Sequence, residues 1–210
     1  MGHRAGIKSV REITEACARL GIQVLTLYAF SVENWQRPRQ EVDTLMNFLD
    51  EYLKKALNTL NKNKIRLNAI GRLDGLPEFV QNRIRYTIEK TISNDGLILN
   101  LALNYGGRSE IVDAARRIIN EVNEGTLKPK DLNEKTFSNF LYTDGLPDPD
   151  LLIRTSGELR ISNFLLYQIS YTEIYVSSKY WPDFHKDDLE AAIEEFQKRE
   201  RRFGGLNPRC

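Results

Sequence analysis

Arg154 and Arg160 bracket the loop Thr155-Ser156-Gly157-Glu158-Leu159, and Ser162 follows where a helix can open. Guanidinium forks match phosphate oxygens, and a helix N-terminus adds oriented N–H groups. The short apolar run Leu151 to Arg154 ends at this loop, and ligands of parallel α/β sheets collect beyond the carboxyl ends of strands. The pattern therefore favours a diphosphate site over a solvated loop with a surface ion pair. Each charge-assisted contact there would contribute about 1.5–3 kcal/mol.

A second polar cluster, Ser31-Val32-Glu33-Asn34-Trp35-Gln36-Arg37, follows another apolar run. It offers a hydroxyl, a carboxylate, an amide, an indole and a guanidinium, enough to hold an anionic head beside an aromatic wall. Capping ahead of a long helix, with Trp35 packed on the surface, accounts for the same residues, and loops on rigid strands carry sites often but not always. Glu173 lies among apolar and aromatic neighbours between Ile169 and Val176, so its carboxylate needs a partner. Magnesium beside a diphosphate and a structural salt bridge fit it equally well. Tyr105-Gly106-Gly107-Arg108 is a strand–turn–helix string without the dinucleotide glycine spacing. Asp148-Pro149-Asp150 reads as a proline turn, and His3 and His185 have no ligand spacing to each other.

The elements that would position these clusters alternate between extended and helical. Periodicity predicts helices over 6–20, 40–62, 77–93, 108–124 and 186–202. Apolar runs predict strands at Ile22–Ala29, covered on both faces, and at Ile65–Ile70, Leu97–Leu103, Leu151–Arg154 and Glu173–Val176. Such alternation implies an α/β fold with a mostly parallel central sheet flanked by helices. No repeat or linker divides the chain, which reads as a single domain over residues 1–210.

At this length a chain buries roughly 70% of its unfolded surface and needs no disulfide staples. Lys+Arg and Asp+Glu total 30 and 29, a balance that speaks against a nucleic-acid binder. The cysteines, Cys17 and Cys210, give neither zinc spacing nor a disulfide framework. Cys17 is in register with Ile13 and Leu20 and is expected to be buried, in a reducing compartment. No apolar run reaches the roughly 18 residues of a membrane span, and no signal peptide precedes the first helix.

Taken together, GHRAG, LTLYAFSVENWQRP, LNYGGR, DLLIRTSGELRISNFLLYQISYTEIY, WPDF and RERRFGG run in order from Gly2 to Gly205. This collinear set resembles bacterial cis-prenyltransferases of the undecaprenyl diphosphate synthase type. The resemblance implies condensation of isopentenyl diphosphate onto an allylic diphosphate such as farnesyl diphosphate, with Mg²⁺, to give a long-chain polyprenyl diphosphate such as undecaprenyl diphosphate, a cell-wall lipid carrier. By the same resemblance Arg154, Arg160, Ile161 and Ser162 hold isopentenyl diphosphate, and Glu173 helps to coordinate Mg²⁺. Ser31 and Glu33 lie at the substrate loop, Asn34 serves the proton-removal step, Trp35 and Arg37 position substrates, and His3 approaches the diphosphates. Arg202 and Gly204 match an element that reaches across a homodimer interface. The long 40–62 helix and the strand with Leu97 and Leu99 would line a tunnel for the growing chain. Such an enzyme works in the cytoplasm, at the inner face of the membrane, where its product would draw it into peripheral contact.

Members of that family begin with a strand and a DGNGRWA-like loop whose aspartate binds magnesium. No such string precedes Gly2-His3-Arg4-Ala5-Gly6. On that pattern the chain is N-terminally truncated, lacks its first strand, and is expected to be nearly inactive and poorly stable. The alternative is a non-catalytic subunit of a heteromeric prenyltransferase. Against that alternative stand Arg154, Arg160, Ser162 and Glu173, all present. A nucleotide-binding module on a similar sheet has no fingerprint to support it.

Overall fold

In a computed structural model, residues 2–200 are described, with side chains from Gly6 onward. Helix α1 (Gly2–Arg19) precedes strand β1 (Val24–Ser31), a 3-10 turn (Val32–Gln36) and the long helix α2 (Arg39–Lys62). Strand β2 (Arg66–Ile70), helix α3 (Glu78–Thr91), strand β3 (Ile98–Tyr105) and helix α4 (Gly107–Asn123) follow. The remainder carries a short helix α5 (Glu134–Ser138), strands β4 (Leu151–Arg154) and β5 (Glu173–Val176), and helix α6 (Lys186–Gln197). The predicted helices and strands are present to within a few residues, and every strand pairing is parallel.

The strands form two hydrogen-bonded groups, β1-β3-β2 and β4-β5. β3 lies between two neighbours, with Thr26, Asn100 and Asn68 abreast in register. Asn100 is fully buried. It donates to Thr26 Oγ1 at 3.1 Å and accepts from Asn68 Nδ2 at 3.0 Å, so a polar row crosses the sheet without an orphaned group. Alternation sends Leu99, Leu101 and Leu103 into the main core, against Val42, Met46 and Leu53 of α2 and Val80 and Ile84 of α3. Ala102 faces the other side, and a left-handed Asn104 (φ 47°) shifts the register so that Tyr105 joins it there. Cys17 is buried as expected, and burial pushes its thiol up to about 12.

Two expectations fail for local reasons. β1 is not covered on both faces: most of its residues are partly exposed, because only β3 pairs with it among the described strands. No helix opens at Ser162. Ser162, Asn163 and Leu165 have φ of 49°, 63° and 44°, and left-handed residues in this number cannot continue a right-handed helix. The segment folds instead as successive turns that end before β5. The α6 helix stops at Gln197, short of the predicted 202, and residues past 200 lie outside the described part.

α5 had no counterpart in the periodicity. Its signal is a cap: Asn133 Oδ1 accepts from the Thr136 backbone N–H at 3.0 Å, and Thr136 Oγ1 accepts from the Asn133 N–H at 2.7 Å. At the other end of the chain, α1 is tied to the Trp181–Asp183 turn. Ser9 Oγ donates to the Pro182 carbonyl at 2.9 Å, and Trp181 Nε1 donates to the Gly6 carbonyl at 3.2 Å.

Candidate active site

The 31–37 loop leaves the carboxyl end of β1 and is held by its own backbone. The Ser31 N–H donates to Asn34 Oδ1 at 2.9 Å, which commits one face of the Asn34 amide to the turn. Trp35 packs edge-on against Phe30, with centroids 5.0 Å apart, and donates its indole N–H to Asn104 Oδ1 at 2.8 Å. Asn104 also donates to the Arg72 carbonyl at 2.8 Å, so the residue that bends β3 also fixes the indole. Arg37 pairs with Glu41 at 2.8 Å on the exposed first turn of α2. Glu33 reaches away from its own loop, and its Oε1 accepts from Asn163 Nδ2 at 2.8 Å. Burial works to raise the Glu33 carboxyl, but the hydrogen bonds from Asn163 and Ser31 and the charge of Arg108 hold it below the usual carboxylate range.

The 154–164 loop leaves β4 and is pinned to the segment that follows β5. Ser156 N–H donates to the Lys179 carbonyl at 2.7 Å and Gly157 N–H to the Ser177 carbonyl at 2.8 Å. Arg154 has a buried Nε with no hydrogen-bond partner among the described residues. A buried N–H of a cation without an acceptor is costly, and an anion in reach would remove that cost. Arg160 is exposed and pairs with Glu158. Ser162 is exposed, and Ile161 is partly buried.

Beside the arginine loop, between β1 and β4, lies a cavity of about 1060 Å³, and no residue of the 31–37 loop lines it. Consecutive residues of β1 (Val24 to Ala29) and of β4 (Leu151 to Arg154) line it. Successive strand residues point to opposite faces, so the cavity is a cleft between the edges of the two strand groups. Leu45, Phe48, Leu49 and Tyr52 of α2 close one side, while Arg154, Thr155 and Ile161 belong to the wall. Leu97 and Leu99 do not: both lie in the main core, and Leu101 is the β3 residue that reaches the cleft. Of the residues expected at a tunnel, those of α2 line the cleft, whereas on β3 Leu101 takes the place expected for Leu97 and Leu99.

Gln168 supplies a second buried polar atom without a described partner, its Oε1, and it too lines the cleft. Its amide nitrogen is occupied, donating to Glu110 Oε2 at 3.1 Å and to Thr143 Oγ1 at 2.9 Å.

Glu173 is paired with Arg199 at 3.0 Å, the structural option of the two open to it. Magnesium takes six oxygens and usually draws one or two carboxylates from protein, the rest from water and substrate phosphates. No group of three or more acidic, histidine or cysteine side chains stands together among the described residues. With the carboxylates of Glu173 and Glu195 both engaged by Arg199, this part of the chain does not by itself make a magnesium site. The His3 side chain, Arg202 and Gly204 fall outside the described residues.

Residue types alone pointed to neither Asn104 nor Asn163, although both stand inside strings quoted above. Their signal is conformational: each has a positive φ outside glycine, a feature uncommon enough to direct attention to a residue.

An α/β fold with an arginine at a strand's carboxyl end and a long apolar cleft beside it has the chemistry to suit amphiphilic anions. The family model described as "Putative undecaprenyl diphosphate synthase" matches residues 1–204. An isoprenyl transferase of Geobacter sulfurreducens is 52% identical over 97% of this chain and 83% of its own length. One from Clostridium perfringens is 49% identical over 98% of this chain and 81% of its own. Lavandulyl diphosphate synthase from Lavandula x intermedia, solved with dimethylallyl diphosphate, superposes with a TM-score of 0.93 at 40% identity, covering 96% of this chain and 87% of that one. A structure described as a probable undecaprenyl diphosphate synthase from Campylobacter jejuni gives 0.84 at 42% identity, covering 96% and 92%. The chain belongs to the undecaprenyl diphosphate synthase family of isoprenyl transferases.

Proposed function

We propose that the chain binds isopentenyl diphosphate at the 154–164 loop and takes part in its condensation onto an allylic diphosphate, farnesyl diphosphate in the first instance, to give a polyprenyl diphosphate. In that reaction the allylic C–O bond to diphosphate breaks, a carbon–carbon bond forms to the isopentenyl alkene, and one proton leaves the isopentenyl unit. The observation that carries this reading is the buried, unpaired Nε of Arg154 in the wall of the apolar cleft. A diphosphate would satisfy the arginine, and a hydrocarbon tail would dry the cleft. Arg160, now on Glu158, is close enough along the loop to add a second cation.

Ile161 and Ser162 complete the same subsite, and Ser31, Glu33, Trp35 and Arg37 the neighbouring one. Asn34 is the candidate for steering the departing proton, which the leaving diphosphate can accept. Magnesium belongs to the reading as the counter-ion of the diphosphates; Glu173, now held by Arg199, would be a candidate carboxylate for it only together with ligands beyond the described residues. So do a homodimer, in which Arg202 and Gly204 cross to the neighbouring site, and a place at the cytoplasmic face of the membrane. No described helix is long and apolar enough to cross one.

The test is calorimetric titration with isopentenyl diphosphate, followed by incorporation of the labelled compound onto farnesyl diphosphate with Mg²⁺. Binding that is lost in Arg154→Met, with label passing into polyprenyl products, supports the reading. Absence of any diphosphate binding by the unaltered chain would sink it. Binding without turnover, with activity returning on addition of a second prenyltransferase chain, would reassign it as a non-catalytic subunit.

A further inference from the structure

We propose that Asn163 is a positioning residue that locks the 31–37 loop to the arginine loop and to the N-terminus of α4, and so sets how far apart the two halves of the diphosphate site stand. This rests on the function proposed above. Three hydrogen bonds leave this one residue. Its Nδ2 donates to Glu33 Oε1 at 2.8 Å, its Oδ1 accepts from the Arg108 backbone N–H at 2.9 Å, and its carbonyl accepts from the Gly107 N–H at 2.7 Å. The partners are 130 and 55 residues away in sequence for the two side-chain bonds, so the residue fastens separate parts of the fold.

Only a side chain with both a donor and an acceptor on one rigid end can serve a carboxylate and a peptide N–H together. The amide orientation follows from its partners. Turned over, it would aim its oxygen at the Glu33 carboxylate and its NH₂ at the Arg108 N–H, both repulsive. The backbone is held with equal firmness. Asn163 sits at φ 63° with Ser162 and Leu165 also left-handed, a run that persists only where its surroundings over-determine it. Those surroundings include two glycines at the start of α4. A Cβ on Gly106 would lie 2.7 Å from Asn163 Nδ2, and one on Gly107 would lie 2.7 Å from Leu166 Cγ. Glycine in both places lets the turn seat against the helix end.

The consequence for the site is geometric. Glu33 belongs to the loop beyond β1, whereas Arg160, Ile161 and Ser162 run directly into Asn163 beyond β4. The Asn163–Glu33 bond thus crosses between the two strand groups at their carboxyl ends, and its loss frees one loop relative to the other.

A double-mutant cycle on the full chain tests this, read by calorimetric titration of isopentenyl diphosphate and by urea unfolding. Asn163→Asp keeps the acceptor for Arg108 but sets a carboxylate against Glu33, and is expected to weaken binding about 10-fold, within the range of couplings between directly bonded groups. In a Glu33→Gln background the same change should cost less than about 2-fold, because the introduced amide can donate to the introduced carboxylate. The Asn163→Asp deficit should also shrink relative to the unaltered chain between pH 7.5 and 5.5, as the facing carboxylates share a proton. Asn163→Gly, which suits the left-handed backbone, keeps the assay valid if the aspartate variant fails to fold, and should show the affinity loss without the pH dependence. Additive effects of Asn163→Asp and Glu33→Gln, or an unchanged affinity in Asn163→Gly, would overturn the positioning role while leaving the proposed function intact. Failure of the unaltered chain to bind would overturn both.

Discussion

Leu25 and Leu99 are the same residue type on paired strands, directly abreast in the register of β1 and β3. Leu99 is fully buried in the main core; Leu25 packs on that core but stays partly exposed and lines the cleft. The strands differ the same way throughout. β3 has a strand on each side and is buried from Leu99 to Tyr105, whereas β1 has one strand beside it and opens towards β4. Apolar sequence therefore serves two ends here. In β3 it provides cohesion, and in β1 it provides a wall for a ligand. The carboxyl ends follow suit: Ser31 to Arg37 carries candidate site groups, while Asn104 near the end of β3 accepts the Trp35 indole N–H.

The strongest way to break this comparison is to set a core truncation against a site truncation. Leu99→Ala should cost about 3 kcal/mol of unfolding free energy in urea, the usual range for a fully buried leucine. It should leave isopentenyl diphosphate affinity nearly unchanged in the fraction that folds. Arg154→Met should do the reverse, lowering isopentenyl diphosphate affinity by about 2 kcal/mol, or about 30-fold, the worth of a charge-assisted hydrogen bond. Its stability should hold or rise slightly, because the variant no longer buries an unpaired N–H. A calorimetric titration paired with a urea curve on each variant reads both. If Leu99→Ala lost affinity and Arg154→Met lost stability, the division between cohesion and site would be wrong.

Much of this division was hidden from the sequence for a definite reason. VLTLYAF and ILNLALNY are both apolar runs with a buried-strand look, and periodicity reports what a strand could bury, not which neighbours it has. That is why β1 was expected to be covered and why Leu97 and Leu99 were expected at the tunnel. The arginine loop was legible because its chemistry is local: two guanidiniums after a short apolar strand. Glu173 was legible only as a carboxylate in need of a partner, since the choice of Arg199 depends on α6 returning to β5. Asn163 was the hardest. Its run of turns has apolar spacing that suits a helix, and the left-handed backbone is imposed by contacts with α4, more than 50 residues earlier.

Leu25→Ala sharpens the comparison from the other side. Its side chain is already partly in the cleft, so the stability loss should fall to about 1 kcal/mol, an ordinary value for a partly exposed site. The affinity for an allylic diphosphate with a farnesyl tail should change more than that for inorganic diphosphate, which has no tail to meet the wall. Equal losses for the two ligands would remove Leu25 from the binding surface.

The smallest expected effect concerns how the carboxyl end of β3 is kept covered while that of β1 stays open. Asp113 of α4 accepts from Arg72 Nε at 2.7 Å and also from Tyr142, and these bonds bind the end of β2 to α4 and the 142 segment above Tyr105. The Arg72 hydrogen bond, with help from Tyr142 and nearby positive charge, holds the Asp113 carboxyl down at about 2, below its ordinary 3.8. A carboxyl whose folded value is depressed contributes stability above the ordinary value and loses it as pH falls through the folded one. The Asp113 contribution should therefore be complete above about pH 4 and fade towards pH 2. Because Arg72 is 44% exposed, solvent screening keeps this to about 0.5 kcal/mol. Asp113→Asn should flatten that part of the acid limb in urea unfolding. It should also speed amide exchange at Leu103 to Tyr105 while leaving Val24 to Leu27 unchanged, since no part of this ion pair touches β1. Faster exchange in both strands would mean that the cover over β3 and the opening of β1 are one cooperative feature, and the contrast between the two strands would then belong to the sheet as a whole.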